Sequence, residues 1–432
     1  MLKSVLPLSF IVGNRFFGIF IVLPVLSLYA LKLDGANEKL VGFLIGGYAI
    51  TQMIFQIPFG ILSDKIGRKK TLTIGLLIFI VGSFIAANAT DIYTMIAGRL
   101  LQGVGAIGAV VTAMISDCTT EENRSKAMAI MGIFIGIAFS ASMSLSPILS
   151  EKYGIGSLFY ISGLLSVLCI ILLFTAVPKE KKILNHKNKE NFSLLQLFSQ
   201  KDLMIINLTS LIQKMLTSIA FLTIPIILVK NLGYPKSDLS TVYATSTLFG
   251  FIAMGIGGFI GDKKGMSKYI LLIGVVLFIS CYSVFSIAKT PFVFIAGVVI
   301  FFIGFNLHEP IMQSCATKFV KTQQRGSALG VFNAFGYLGS SIGGILGGYI
   351  LHEYGMFELA ILCVIICLLW FIALLSMKDP RVFKIIELEK DADLKKIIGL
   401  KGVFDIFADE NNKFIKYDST ILTEENIKKL LN

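Results

Sequence analysis

Twelve apolar runs separated by short polar hinges dictate what this chain of 432 residues can become. Their approximate bounds are 5–31, 39–62, 71–89, 92–115, 125–149, 156–177, 202–229, 238–260, 268–288, 291–315, 326–350 and 357–376. Each is long enough to cross a bilayer, which takes about 20 residues. Hydrocarbon offers the backbone no hydrogen-bond partner, so runs of this kind must be helices. Hinges this short make consecutive helices antiparallel neighbours. The expected fold class is an all-α membrane protein with twelve transmembrane helices.

Charge supports this reading. Only 15% of residues are charged and 55% are apolar, whereas a soluble domain carries about 25% charged residues. The net charge of +12 sits mainly in alternate hinges: Lys65, Arg68, Lys69 and Lys70; Arg124 and Lys126; the stretch to Lys201; Lys263, Lys264 and Lys268; Lys318, Lys321 and Arg325. The other hinges hold isolated lysines. That is the positive-inside pattern, so the basic balance reports topology rather than a nucleic-acid partner, and it places both chain ends in the cytoplasm. The six cysteines lie mostly inside apolar runs, without the spacing of disulfides or zinc sites. The first run lacks the short core and small-residue cleavage site of a cleaved signal peptide.

The hinge Gly60–Lys70, GILSDKIGRKK, has a near copy 198 residues on. Gly60, Asp64 and Gly67 recur as Gly258, Asp262 and Gly265. A second echo, at an offset of 201, relates Arg124 and Ala127 to Arg325 and Ala328. Two echoes in nearly equal register predict two parallel six-helix repeats, 1–177 and 202–377, joined by a polar linker at 178–201. Residues 192–199 within the linker are expected to form a short surface helix.

After Met377 the composition turns soluble. Residues 382–388, 403–408 and 413–417 read as strands, 392–398 as a short helix, and Thr423 as the N-cap of a last helix. The order β-α-β-β-α is a ferredoxin-like unit short of its final strand, a small α+β domain at 381–432. Its charges nearly balance, which argues against a polybasic anchor. A regulatory or assembly role follows, including a homodimer formed through this domain.

Several residues carry chemistry that helix packing alone does not require. Asp64 stands where a carboxylate can face the start of a neighbouring helix, whose free N–H groups favour negative charge. Arg68 is placed to pair with Asp117. Arg99-x-x-Gln102-Gly103-x-Gly105-Ala106 puts a cation inside the fourth helix, where function or snorkelling must account for it. Arg15, beside Asn14, lies near mid-bilayer, where buried pairing or a cavity role would account for it. Lys214 in the seventh helix lies less deep, where snorkelling is open to it. Glu309 is the acid within these runs farthest from a helix end. His308 beside it points about 100° away and reads as a packed residue.

The hinge motif, the Arg99 motif and the repeat resemble the major facilitator superfamily across Asn14–Ser376. Together with the tail they are similar to its YajR-like branch of bacterial facilitators. The resemblance implies parallel repeats with a substrate site between them. It also implies a conformational latch of Gly60, Asp64, Gly67, Arg68, Asp117, Arg124, Gly258, Asp262, Gly265 and Arg325, in which Asp64 meets the start of the eleventh helix. Asn14, Arg15, Arg99, Gln102, Gly103, Lys214, His308 and Glu309 are the coupling and cavity candidates. The implied function is an inner-membrane secondary transporter moving small organic molecules, by proton-coupled efflux. Uptake of sugars or other metabolites is the alternative within the class. A transporter-like sensor signalling through its tail is the alternative outside it. Gly132, Gly136 and Ser146-Pro147 give only an incomplete form of the family's antiporter helix. No phosphate loop or metal spacing is legible, so neither an enzyme nor a cofactor is expected.

Overall fold

The structure is a computed structural model that describes residues 2–119, 121–177, 195–263, 265–321, 324–389, 397, 400–408 and 412–431. Twelve helices long and apolar enough to span a membrane lie among them. In the first half these are α1 (Ser4–Ala30), α2 (Glu38–Ile66), α3 (Arg68–Ala87), α4 (Ile92–Asp117), α5 (Glu121–Tyr153) and α6 (Ile155–Thr175). The second half holds α7 (Lys201–Asn231), α8 (Leu239–Lys263), α9 (Ser267–Ile287), α10 (Pro291–Lys318), α11 (Arg325–Glu353) and α12 (Met356–Leu375). Their outward faces carry the apolar residues, such as Ile57, Leu164, Phe292 and Leu369, that a soluble fold would bury.

Local chemistry sets the helix ends. Asn37 and Asp91 cap α2 and α4 by accepting from the N–H groups of Leu40 and Thr94. Gly67 and Gly265 take φ of +101° and +67°, a left-handed turn that residues with a Cβ rarely adopt, and each reverses the chain between two helices. The repeat also appears in contacts. Lys69 donates to Val177 O just beyond α6, and Lys268 donates to Leu375 O and Met377 O at the end of α12. A hinge lysine therefore caps the last helix of each half, one register position apart in the two repeats.

One expectation fails within a helix. The fourth run reads as continuous, but α4 is broken at Gly105–Ile107, between Ile92–Val104 and Gly108–Asp117. Gly105 cannot carry a side chain there, since a Cβ would lie 2.4 Å from Gly75 O. Close approach to α3 explains both the glycine and the break.

Beyond α12 the chain forms β1 (Phe383–Glu389), β2 (Val403–Ala408), β3 (Asn412–Asp418) and α13 (Glu424–Leu431). The sheet order is β1-β3-β2 with both pairings antiparallel. β1 and β2 therefore run in the same direction, as in a split β-α-β unit. The helix expected at 392–398 lies outside the described residues except for Ile397, which is fully buried beneath the sheet. Thr423 Oγ1 accepts from Asn426 N at the start of α13. Of the surface helix expected at 192–199, one turn, Leu195–Phe198, is described as helical.

The tail sits on the ends of the second-half helices. Phe383 packs edge-on against Phe319, with ring centroids 5.9 Å apart. Lys378 N donates to Asp202 Oδ1 at 2.8 Å. Lys416, only 2% exposed, donates to Lys318 O and Val320 O at the end of α10. The membrane end bearing these contacts is called the tail side below, and the opposite end the far side.

Candidate functional site

The two halves meet most closely on the far side. A Cβ at Gly42 of α2 would lie 2.3 Å from Gly344 O and 2.7 Å from Gly348 Cα of α11. At Gly46 it would lie 2.5 Å from Ser341 O. Small residues spaced four apart on both helices thus let the backbones touch. Two polar pairs extend this seam: Glu38 with His352, and Lys39 with Glu353.

An aromatic cluster closes the middle. Phe139 of α5 lies 5.1 Å from Phe20 of α1, and 6.3 and 6.0 Å from Phe302 and Phe305 of α10. Tyr243 of α8 donates across the halves to Pro24 O. The tail side is different. Among the described residues, a Cβ at Gly60 of α2, or at Gly326 or Gly330 of α11, would meet nothing within 4 Å. The helix pair that touches at one end is open at the other.

Just on the tail side of the aromatic cluster, Lys214 of α7 pairs with Glu309 of α10. Lys214 Nζ also sits 4.9 Å over the Phe305 ring. Gln213, fully buried, donates to Glu309 Oε1 and Phe305 O, each at 3.3 Å. The ion pair retains 30% and 25% side-chain exposure, so it borders open space rather than being sealed. Among the candidates expected to line a cavity, these two are joined across facing helices.

The first-half candidates form a different structure. Arg15, 4% exposed, donates from Nη2 to Gln102 O at 2.8 Å and Gly105 O at 3.1 Å, where α4 breaks. It thereby supplies positive charge to the carbonyl end of a half-helix, where unpaired C=O groups favour a cation. Arg99, 1% exposed, donates to Gln102 Oε1, and Gln102 Nε2 donates to Ser83 Oγ. Both guanidinium groups lie near the Tyr48 ring, and Arg15 also sits 3.9 Å over Phe79. Asn14 donates to Leu165 O and Cys169 Sγ on α6. Gly103 provides clearance for Thr51 and Tyr48 of α2. Arg15, Arg99 and Gln102 are buried, and Asn14 is partly so. The α4 break gives Arg15 carbonyl partners and α6 gives Asn14 its own, on different helices from the Lys214–Glu309 pair.

His308 is packed, as its direction suggested. Its Nε2 meets Leu271 O at 2.8 Å, and Trp370 stacks edge-on at 5.2 Å. Sequence reasoning missed a polar ladder on α2. Tyr48 donates to Gln52, Gln52 to Gln56, and Tyr337 of α11 also bonds Gln52. The four-residue spacing of three polar side chains in an apolar helix was the available signal.

At the tail-side hinge, Arg68 Nε donates to Asp117 Oδ2 at 3.1 Å, and its Nη1 reaches Asp64 Oδ1 at 2.6 Å and Ser63. Asp64, expected against the start of α11, is 67% exposed here and held by Arg68. The gap between the tail-side ends of α2 and α11 accounts for that. Arg325 is the first residue of α11, and Gly258 has open space around it. The side chains of Arg124 and Asp262 lie outside the described residues.

Comparisons with known proteins agree with this architecture. A family model described as Major Facilitator Superfamily matches residues 8–344 and again 208–408. The chain is 34% identical over 424 residues to the inner membrane transport protein YajR of Escherichia coli, covering 94% of this chain and 92% of that protein. It is 26% identical over 372 residues to the quinolone resistance protein NorA of Staphylococcus aureus, covering 81% and 90%. The solved nucleoside transporter NupG superposes with a TM-score of 0.73 at 17% identity, over 87% of this chain and 100% of that one. A bacterial homologue of the human lysosomal transporter Spinster gives 0.68 at 13%, over 87% and 96%.

Proposed function

The chain belongs to the Major Facilitator Superfamily, and from that membership we propose that it is a proton-coupled exporter of small organic molecules. The observation carrying the reading is the asymmetry of α2 and α11, which touch at their far ends and stand open at the tail side. A transporter that alternates access needs two exclusive closures, and this arrangement is one of them. With the tail side taken as the cytoplasm, from the basic hinges, the conformation faces inward. Arg68, Asp64 and Asp117 then form the parts of the opposite closure, assembled on α2–α4 and awaiting α11.

Glu309 is the proposed proton carrier. Paired with Lys214 it is ionised and balanced. Protonation frees Lys214 to bind substrate or solvent, and a partly exposed carboxylate within a membrane bundle is a functional group by default. The aromatic cluster on its far side separates it from far-side water until the halves rock. The likeness to the quinolone resistance protein supports the outward direction.

Reconstituted protein in liposomes with an imposed pH gradient tests the reading. Gradient-driven movement of an amphiphile from the tail side, with counterflow of protons, is the expected result. Movement in the same direction as protons would replace export with uptake. No movement across a broad panel of amphiphiles and sugars would remove the transporter reading.

A further inference from the structure

The far-side seam contains an element that the glycine contact does not require. His352 Nδ1 of α11 lies 2.7 Å from Glu38 Oε2 of α2. One residue on in each helix, Glu353 pairs with Lys39. Glu38 and Lys39 belong to the first half, His352 and Glu353 to the second. Both pairs therefore exist only while the far side is closed. His352 and Glu38 keep 37% and 32% of their side-chain surface, so protons from far-side water can reach them.

We propose that His352 and Glu38 form a proton-responsive bolt that favours the far-side-closed conformation when the far-side solution is acidic. The proposal rests on the alternating-access reading above. Neutral imidazole gives the Glu38 carboxylate a hydrogen bond. Imidazolium keeps that bond and adds the attraction of opposite charges. A ligand shifts a two-state equilibrium only by its differential interaction with the two states. Here the proton is that ligand, because the Glu38 partner is present in one state and withdrawn in the other.

The surrounding charges leave histidine as the switching member. Lys39 and Glu353 neutralise one another beside it, Tyr349 lies near Lys39, and Lys230 at the end of α7 faces Glu38. Carboxylates, lysines and tyrosines do not ordinarily change charge between about pH 5 and 8, whereas histidine does. The glycine seam has no ionisable member, so it supplies closure at any pH. The bolt adds the pH dependence.

The test uses the full chain in lipid, with nitroxide pairs read by electron–electron double resonance. One pair sits at Tyr153 and Lys289, exposed far-side residues of the two halves, and a second at Lys70 and Gly326 on the tail side. Lowering the pH from about 8 to about 5 should raise the far-side-closed population by about two- to five-fold, the range an exposed ion pair supports. H352Q should abolish the shift, and so should E38Q, which keeps the side-chain shape without the charge. An equal shift in H352Q would overturn the bolt, as would none in the wild type. If the two distances still redistributed reciprocally, alternating access would stand without it. Distances that never redistribute would end both.

Discussion

Lys214 and Glu309 form an ion pair that joins α7 to α10 on the tail side of the Phe139–Phe302–Phe305 cluster. Gln213 holds the same carboxylate from one residue earlier on α7. The pair links two helices of one half, so it can persist or break without the halves separating. On the proposed reading, a proton taken up by Glu309 releases Lys214 without first parting the halves.

Glu309→Gln should therefore uncouple the transporter rather than unfold it. The amide retains hydrogen-bonding capacity toward Gln213 but carries no charge for Lys214 and cannot take up the proton. Gradient-driven accumulation should fall to passive exchange, a loss of about 1–3 kcal/mol of coupling. Counterflow in reconstituted vesicles measures it. Wild-type accumulation by Glu309→Gln would remove the residue from the coupling role.

Closure on the far side should depend on glycine clearance. In Gly344→Ala the new methyl would lie 2.5 Å from Gly46 N and 2.7 Å from Gly42 O, both backbone atoms that cannot rotate away. Overpacking of this kind costs about 1–3 kcal/mol. It falls only on the far-side-closed state, so cysteines introduced along the far-side seam should react faster with a membrane-impermeant thiol reagent while the melting temperature changes little. Unchanged accessibility would mean that α2 and α11 can slide to accept the methyl.

Much of this was legible because the bilayer restricts the choices. Twelve runs and the register of Gly60 with Gly258 can be read from spacing alone. The three tail strands were also legible, close to the bounds read from the sequence. The break in α4 was not. Val104–Ile107 is apolar throughout, and the cause lies on another helix, where Gly75 O occupies the space beside Gly105. The partners of Arg15 were hidden for the same reason: they are backbone carbonyls exposed by that break. Polarity within a run signals that a side chain has a partner, but not whether that partner is substrate, carboxylate or carbonyl.

At the hinge, Asp64→Asn should lower the population in which the tail side is closed and leave the present conformation nearly unaffected. Here, among the described residues, the carboxylate meets Arg68, which keeps Asp117 as a second partner. In the closed state it would face the N–H groups at the start of α11, worth about 0.3–2 kcal/mol. Distances between Lys70 and Gly326 should lengthen on average by population, not by a new conformation. An identical distribution in Asp64→Asn would reduce this residue to a topology determinant.

The tail should grip the membrane bundle more firmly as pH rises from about 8 toward the ordinary lysine range. Burial, together with the nearby Arg325 charge, pushes Lys416 down to about 8 while its Nζ donates to the α10 carbonyls. Released into water, the side chain would return to about 10.4. Between those values the released tail binds more protons than the docked tail, so raising the pH favours docking. Below about pH 8 both forms are protonated and this residue contributes no slope. Neutral lysine still has N–H groups for Lys318 O and Val320 O, so the contact survives loss of the charge. Energy transfer between dyes at Lys384 in β1 and Met266 before α9 would follow docking against urea. The midpoint should climb through this window in the wild type and stay flat in Lys416→Met. Lys416→Arg, charged throughout, should also stay flat while keeping donors to α10. A wild-type midpoint that falls with rising pH would show that the cation, rather than its N–H groups, holds the tail in place.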